Sequence, residues 1–132
     1  NDINRHISQI VSTRVGTTAS PWLSSFEVGD IHSIAVSHGE GKFVVSDLMA
    51  EELLANGQVA FQYVDPSGEA TTDAPYNPNG STLGIEGIVS PDGRILGKMG
   101  HTERYERNLM KNIAGEKILE IFSKALRYFT KL

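Results

Sequence analysis

A hairpin signature in the second half of the chain places the strongest constraint on its fold. Two short, largely apolar runs, 84–89 and 94–99, flank the sequence Ser90-Pro91-Asp92-Gly93. Because these residue types favour tight turns, the two runs are predicted to form neighbouring antiparallel strands. The second run leads directly into Gly100-His101-Thr102-Glu103, so a histidine and a glutamate follow the end of a predicted strand.

The other predicted elements mix strands with helices. Apolar patterning predicts strands at 6–16, 31–36, 42–46 and 58–64 and a final helix over about 115–131. A further helix is predicted to begin at an Asp47 N-cap, to end at Asn56-Gly57, and to bury a face made of Leu48, Met49, Leu53 and Leu54. This order favours an α/β or α+β domain built on a central sheet.

Length and composition narrow the class of protein. A chain of 132 residues fits a single domain. The net charge of −4, without a basic run, gives no sign of nucleic-acid binding. No apolar run approaches the ~20 residues of a membrane span. The absence of cysteine excludes disulfides and thiolate metal sites within these residues. We therefore expect a cytoplasmic protein that binds neither nucleic acid nor membranes.

His101 and Glu103 are the strongest candidates for chemistry. In extended chain, side chains two residues apart point the same way, so Glu103 can hold one imidazole nitrogen and leave the other free as a general base or acid. This is two-thirds of a nucleophile–base–orienter triad. The nucleophile is missing, since the chain has no cysteine and no serine in a Gly-x-Ser-x-Gly sequence. The pair is therefore either a solvated surface turn or part of a larger enzyme.

Two turn-like segments are weaker candidates. The segment Ser37-His38-Gly39-Glu40-Gly41 reads first as a hairpin turn whose glycines supply positive φ, although its backbone N–H groups can also bind a ligand carboxylate. The segment 77–81, Asn-Pro-Asn-Gly-Ser, is typical of a turn and lacks the lysine of a phosphate-binding loop. His38, His101 and Glu103 are metal ligands by type, but nothing in their spacing requires a metal, and none is expected.

Three segments, taken together and in this order, resemble one family closely. They are 34–41 (IAVSHGEG), 77–81 with 85–88 (NPNGS and IEGI), and 97–104 (GKMGHTER). The chain resembles the C-terminal part of the glutaminase domain of the phosphoribosylformylglycinamidine synthases, which are class I, triad-type glutamine amidotransferases of purine biosynthesis. The sequence Ser-Pro-Trp-Leu at 20–23 adds to the match with the large, single-chain form. The resemblance covers nearly the whole chain.

The resemblance implies a fold and a set of site residues. The fold is a flavodoxin-like, three-layer class I amidotransferase domain, with residues 1–132 as its C-terminal portion, a mixed sheet and a C-terminal helix. The family's triad is cysteine, histidine and glutamate; His101 and Glu103 match the last two, and the cysteine would precede residue 1. By analogy with class I relatives, Gly39 and Glu40 are expected to bind glutamine. The family often has proline where this chain has Gly100 and Thr102, so the loop lacks the rigidity that proline gives.

The function that the resemblance implies is the hydrolysis of glutamine to supply ammonia. A separate synthetase active site would use that ammonia in the ATP-dependent conversion of formylglycinamide ribonucleotide to formylglycinamidine ribonucleotide. The implied partners are glutamine, the rest of the glutaminase domain and the synthetase domains. ATP and magnesium would be bound in the synthetase part, and this chain is expected to hold no cofactor. Without the cysteine, the chain alone is expected to be inactive.

Two alternatives remain open from the sequence. One is a stand-alone, non-catalytic α/β domain in which the His-Glu loop recognises a ligand or partner. The other is a different class I amidotransferase, such as one that makes GMP. The combination of the 77–81 segment with the His38-Gly39-Glu40-Gly41 turn favours the amidine-forming enzyme over the latter.

Overall fold

The computed structural model describes residues 2–106, 108 and 110–131. Its elements follow the order β1 (Ile7–Val15), β2 (Ile31–His38), α1 (Asp47–Ala55), β3 (Val59–Tyr63), β4 (Ile85–Val89), β5 (Leu96–Lys98) and α2 (Ile121–Thr130). Short 3-10 turns occupy Thr82–Gly84 and Thr102–Arg104. No helix in this described part of the chain is long and apolar enough to cross a membrane.

The strands form one five-stranded sheet in the order β2-β1-β3-β4-β5. The predicted hairpin is confirmed as β4 and β5, which pair antiparallel from Gly87 opposite Lys98 to Val89 opposite Leu96. The α/β class with a C-terminal helix is also confirmed. In one detail the sheet differs from the mixed sheet expected, since every pair of described neighbouring strands is antiparallel. The reason is that α1 connects β2 to β3, which are not neighbours, so no helical crossover joins adjacent parallel strands.

The sheet curls until its two ends meet. After β5 the chain turns toward β2, the strand at the opposite end of the sheet order, and His101 forms an isolated antiparallel bridge with Ala35. The backbone N–H of His101 donates to the carbonyl oxygen of Ala35 over 2.8 Å. The position of His101 is therefore fixed by tertiary structure and not by the hairpin alone.

Apolar side chains pack on both faces of the sheet. Consecutive residues of a strand point to opposite faces, and the neighbours Val59 and Ala60 belong to different buried clusters. The smaller cluster contains Ala50 of α1, Val59 and Ile85. The larger cluster joins residues of the strands to the 17–29 connection and to α2: Ile7, Val11, Val15, Leu23, Phe26, Ile34, Val36, Ala60, Phe61, Tyr63, Val89, Leu119 and Ile121. Helices and loops thus cover both faces.

The predicted strand at 42–46 is wrong. This segment is irregular, because its backbone groups bond to the 81–82 region instead of to a neighbouring strand. The N–H of Phe43 donates to Ser81 Oγ over 3.0 Å, and the N–H of Thr82 donates to the carbonyl oxygen of Phe43 over 2.9 Å. A side chain from a distant turn therefore replaces part of a strand ladder.

Helix α1 exists where it was predicted, but its cap and its buried face differ. Ser46, one residue earlier than expected, is the N-cap and accepts a hydrogen bond from the N–H of Met49. The buried residue is the small Ala50, whereas Leu48 is 77% exposed. Leu53 is half-buried against the smaller cluster, as predicted, whereas Met49 and Leu54 are exposed. The reason is that Ala50 and Leu53, three residues apart on the helix, form the face that packs against the sheet. The stop at Asn56-Gly57 is confirmed, with Gly57 at φ 67°.

Helix α2 begins at Ile121, not near residue 115. The segment before it is held against β2, where the N–H of Ser33 donates to the carbonyl oxygen of Glu116 over 2.6 Å and Ser33 Oγ donates to that of Ala114 over 3.0 Å. Carbonyl groups bound to β2 in this way do not start a helix. The apolar periodicity of this region therefore covers both an irregular segment, up to residue 120, and the helix that follows it.

We expect the substitution Phe61→Ala to destabilise the protein strongly. Phe61 is fully buried in the larger cluster, and removing such a ring from a core costs about 3–5 kcal/mol. The matched control is Ile95→Ala, at a residue that is 72% exposed, where a change within about 0.5 kcal/mol is expected. Urea unfolding measures both free energies, and equal losses would contradict the assignment of the core.

Candidate active site

His101 and Glu103 contact each other at the exit from β5. His101 Nδ1 lies 2.7 Å from Glu103 Oε1. The local backbone is not the extended chain expected, because Thr102–Arg104 forms a 3-10 turn that begins at His101. The 3-10 turn nevertheless brings the His101 and Glu103 side chains into contact, as the extended chain was expected to do. The pair lies at the surface, with 30% of the His101 side chain and 68% of the Glu103 side chain exposed.

This contact determines which nitrogen of His101 is free. A hydrogen bond from its own backbone N–H, and then the bond with His101, lower the pKa of the Glu103 carboxyl group. Glu103 is therefore ionised at neutral pH and can only accept hydrogen bonds, so the proton between the two groups belongs to Nδ1 of His101. The neutral imidazole then has an unprotonated Nε2, which is the form that a general base requires.

A cavity of about 270 Å³ opens beside the pair. His101, Thr102 and Glu103 form its polar side. Its apolar side contains Trp22 and Phe122, whose rings meet edge to face with centroids 6.1 Å apart. Trp22 is fixed by its indole N–H, which donates to the carbonyl oxygen of Arg94 over 2.8 Å. The imidazole therefore borders a space of the size of a small polar molecule.

Gly39 and Glu40 lie in the exposed loop after β2 and do not line this cavity. Glu40 lines a second cavity of about 280 Å³, together with Phe43, Glu86 and Lys98. Gly39 and Glu40 both line a further depression beside His6. Lys98 and Met99 line both cavities, so these two residues lie between the two expected groups of site residues.

His38 is bound to a buried asparagine at the start of this loop. Asn79 is fully buried, and its Nδ2 lies 2.7 Å from the Gly41 carbonyl oxygen and 2.6 Å from His38 Nδ1. Since a carbonyl oxygen can only accept, the amide nitrogen must face Gly41, and the same NH₂ group donates to His38 Nδ1. Burial lowers the pKa of the His38 imidazole, and the nearby imidazole of His101 lowers it further. His38 is therefore held neutral.

The expectation that glycines of this loop supply positive φ is wrong. Neither Gly39 nor Gly41 has a positive φ. Gly41 is required for close approach instead, because a Cβ atom there would lie 2.2–2.4 Å from the His38 ring. The loop is thus packed tightly against the imidazole.

The 77–81 segment forms the predicted turn, but its polar side chains face inward. Asn77, Asn79 and Ser81 are each at most 1% exposed. Asn77 closes the turn on itself, since its Nδ2 donates to the Ser81 carbonyl oxygen over 2.8 Å and its Oδ1 accepts from the Ser81 N–H over 3.0 Å. Asn79 and Ser81 then hold the loop that contains Gly39 and Glu40. Sequence reasoning missed these two roles, and the only available signal was the density of amide and hydroxyl side chains in one turn.

Across residues 2–106, 108 and 110–131, no three His, Asp or Glu side chains converge in a way that could hold a metal ion. The polar groups of the site bind one another and the backbone instead.

Comparison with known families decides what kind of domain this is. A family model described as a CobB/CobQ-like glutamine amidotransferase domain matches residues 1–131. The chain belongs to this glutamine amidotransferase family.

Within this family, the chain is similar in sequence to PurQ subunits. It is 39% identical over 107 residues to the phosphoribosylformylglycinamidine synthase subunit PurQ of Methanosarcina mazei, covering 81% of this chain and 45% of that protein. It is 45% identical over 101 residues to the PurQ subunit of Thermomicrobium roseum, covering 74% of this chain and 41% of that protein. The chain thus spans less than half the length of these two relatives.

The fold of this chain is similar to that of half of a chain in a solved structure of PurLQS from Thermotoga maritima. The match has a TM-score of 0.68 and 26% identity, covering 98% of this chain and 50% of that chain. Together with the PurQ relatives, it confirms the resemblance to the glutaminase of phosphoribosylformylglycinamidine synthase that the three sequence segments predicted.

We expect Asn79→Ala to loosen the loop that carries the candidate glutamine-binding residues of this amidotransferase. The change leaves the Gly41 carbonyl oxygen and His38 Nδ1 without their donor, and a buried polar group left unpaired costs about 1–3 kcal/mol. Hydrogen exchange over residues 39–43 is expected to accelerate.

The matched control for this substitution is Asn56→Ala. The side chain of Asn56 is exposed and makes only a long contact of 3.5 Å with Gln58, so exchange over 39–43 should not change. Unchanged exchange in the Asn79 variant would show that the loop does not depend on this amide.

Proposed function

We propose that this chain forms the C-terminal portion of the glutaminase domain of a phosphoribosylformylglycinamidine synthase, a cytoplasmic enzyme of purine biosynthesis. His101 and Glu103 are its proton-transfer pair. The observation that supports this proposal best is the 2.7 Å contact between His101 Nδ1 and Glu103 Oε1 at the border of an open cavity. It orients the imidazole and leaves Nε2 free, as a histidine in a cysteine-type triad requires.

The proposed reaction is the hydrolysis of the glutamine side-chain amide. The cysteine thiol gives its proton to His101 Nε2, and the resulting thiolate attacks the amide carbon. The carbon–nitrogen bond breaks as the imidazolium passes that proton from Nε2 to the departing ammonia. Water then attacks the γ-glutamyl thioester while Nε2 takes one of its protons, which releases glutamate and restores the thiol. Glu103 holds the tautomer of His101 and stabilises the imidazolium ion formed on the way.

The cysteine must come from outside residues 1–132, which contain none. We propose that the part of the domain that bears it packs beside the first cavity. Two features support this: the cavity is open next to His101, and the α2 residues Phe122 and Leu126 remain 69% and 63% exposed. Large apolar side chains beside a polar site are typical of a surface that another part of the protein covers.

Gly39 and Glu40 are proposed to bind glutamine. They belong to a loop that Asn79 and Ser81 hold from beneath, so its backbone groups are ordered before a ligand arrives. Ordering a loop in advance reduces the entropy that binding must remove. Because Glu40 lines the second cavity and His101 the first, glutamine would have to lie across the wall that Lys98 and Met99 form.

The remaining partners are the synthetase domains. They would receive the ammonia and use ATP and magnesium to convert formylglycinamide ribonucleotide to its amidine. No residue of this chain is assigned to those cofactors.

We expect His101→Ala in the full-length protein to abolish glutamine-dependent synthesis and to leave ammonia-dependent synthesis intact. General acid–base catalysis contributes about 10²–10⁴-fold, so glutamine hydrolysis should fall by that factor. Parallel assays with glutamine and with ammonium salts measure the two activities. An equal loss of both would mean that His101 is structural.

A pair of glutamate variants tests the orienting carboxylate. Glu103→Gln removes the charge beside Nδ1 and, by analogy with the serine-protease triad, is expected to lower the rate of glutamine hydrolysis by up to about 10⁴-fold. Glu106→Gln, at a nearby exposed glutamate, is the matched control and should have wild-type activity. Equal activity of the two variants would remove Glu103 from the mechanism.

Residues 1–132 expressed alone are expected to show no glutaminase activity, because the nucleophile is absent. A coupled assay for glutamate release measures this directly. Robust turnover would exclude a cysteine mechanism and would favour a different role for the His101–Glu103 pair.

A further inference from the structure

Glu86 occupies an irregular position in the sheet. Between β3 and β4, Gln62 lies opposite Ile85 and Phe61 lies opposite Gly87, so Glu86 is an extra residue without a partner on β3. Such a bulge shifts the alternation of side chains. Ile85 and Ile88, three residues apart, accordingly pack in the same apolar cluster. The bulge leaves the side chain of Glu86 completely buried.

The buried carboxylate binds the segment that leads to His101. Glu86 Oε1 accepts the N–H of Gly100, and it shares the N–H of Met99, at 3.0 Å, with the backbone carbonyl oxygen of Glu86, at 3.1 Å. The ammonium group of Lys98 lies 3.2 Å from the same oxygen, and it donates to the Gly100 carbonyl oxygen over 2.8 Å. One carboxylate and one ammonium group therefore fix both backbone polar groups of the residue that precedes His101.

Gly100 is the residue that this arrangement requires. A Cβ atom there would lie 2.8 Å from Ile34 Cδ1, 2.9 Å from Glu86 Oε1 and 2.9 Å from Lys98 Nζ. Proline at this position would also lack the N–H that donates to Glu86. The family that the chain resembles often has a rigid proline at this position. Here hydrogen bonds to the side chains of Glu86 and Lys98 hold the backbone of Gly100 instead.

Core stability alone does not account for a carboxylate at this position. Replacing a buried ion pair with apolar residues of similar volume is often neutral or stabilising. Within the described residues, Glu86 Oε2 has no hydrogen-bond partner, so part of its desolvation is not compensated. What this carboxylate supplies is geometry, since it holds the Met99 and Gly100 amides in one fixed direction.

We propose that Glu86, paired with Lys98, is a positioning residue for His101. Its carboxylate holds the backbone of Gly100, the residue before His101, while the hydrogen bond to Ala35 holds the backbone of His101 itself. The inference rests on the proposed function in one respect, namely that His101 transfers protons. A displacement of about 1 Å at a reacting group can cost about 10²-fold in rate, so loss of this anchor is expected to lower kcat by that factor.

The test compares Glu86→Ala, Glu86→Gln and a matched control in the full-length protein. Val59→Ala is the control, because Val59 is equally buried in the same pair of strands but contributes to the smaller apolar cluster. It separates a general loss of stability from a loss of positioning. For each variant, steady-state glutamine hydrolysis gives kcat and KM, and hydrogen exchange measured by mass spectrometry gives the protection of the amides at 99–101.

The expected result has three parts. Glu86→Ala accelerates exchange within 99–101, most of all at Gly100, whose N–H donates to the lost carboxylate, and it lowers kcat about 10²-fold, with KM changed less than about threefold. Glu86→Gln, which keeps an oxygen that can accept the two N–H groups, shows a smaller loss of both. Val59→Ala leaves exchange at 99–101 and kcat close to the wild-type values.

Three results overturn the proposal. One is unchanged exchange at 99–101 in Glu86→Ala; another is faster exchange there with an unchanged kcat. The third is a higher KM at constant kcat, which would make Glu86 a substrate contact. An inactive wild-type protein would refute the proposed function instead, and exchange at the His101 amide would then decide by itself whether Glu86 holds that residue.

Discussion

The hydrogen bond from the backbone of His101 to Ala35 is the contact on which the rest of the site depends. It joins the segment after β5 to β2, so it connects the two ends of the curled sheet. The 3-10 turn that brings Glu103 to the imidazole starts at this bridge, and the cavity beside the pair lies between the turn and α2. If the ends of the sheet separated, the pair would still be adjacent in sequence but would face no enclosed space.

The sequence was most informative where structure is determined locally. The hairpin with its Ser90–Gly93 turn and the stop of α1 at Asn56-Gly57 depend on residues that are neighbours in the chain, and both were predicted. The predicted strand at 42–46 and the early start of α2 failed for a different reason. Their backbone groups bond to Ser81 and Ser33, which are distant in sequence, and no local pattern reports such partners.

The same distinction holds within the site. His101 and Glu103 could be selected because their spacing and residue types indicate proton transfer. Asn79 and Glu86 could not, since an asparagine in a turn and a glutamate in a strand each have a common explanation at the surface. Their importance comes from complete burial, which turns ordinary polar side chains into donors and acceptors for loop backbone. Burial of this kind is a property of the folded chain and not of any short segment.

Asn79 and Glu86 have similar roles in two loops, since each holds the backbone of a glycine, Gly41 and Gly100 respectively. A loop that contains glycine is flexible unless something holds its backbone groups, and apolar packing cannot do so without covering the site. A buried amide or carboxylate can hold several N–H and C=O groups from beneath and leave the outer surface of the loop free for a ligand. Gly41 and Gly100 permit this because they bring the backbone within contact of His38 and Glu86. Rigidity in this domain therefore comes from polar anchors placed under glycines.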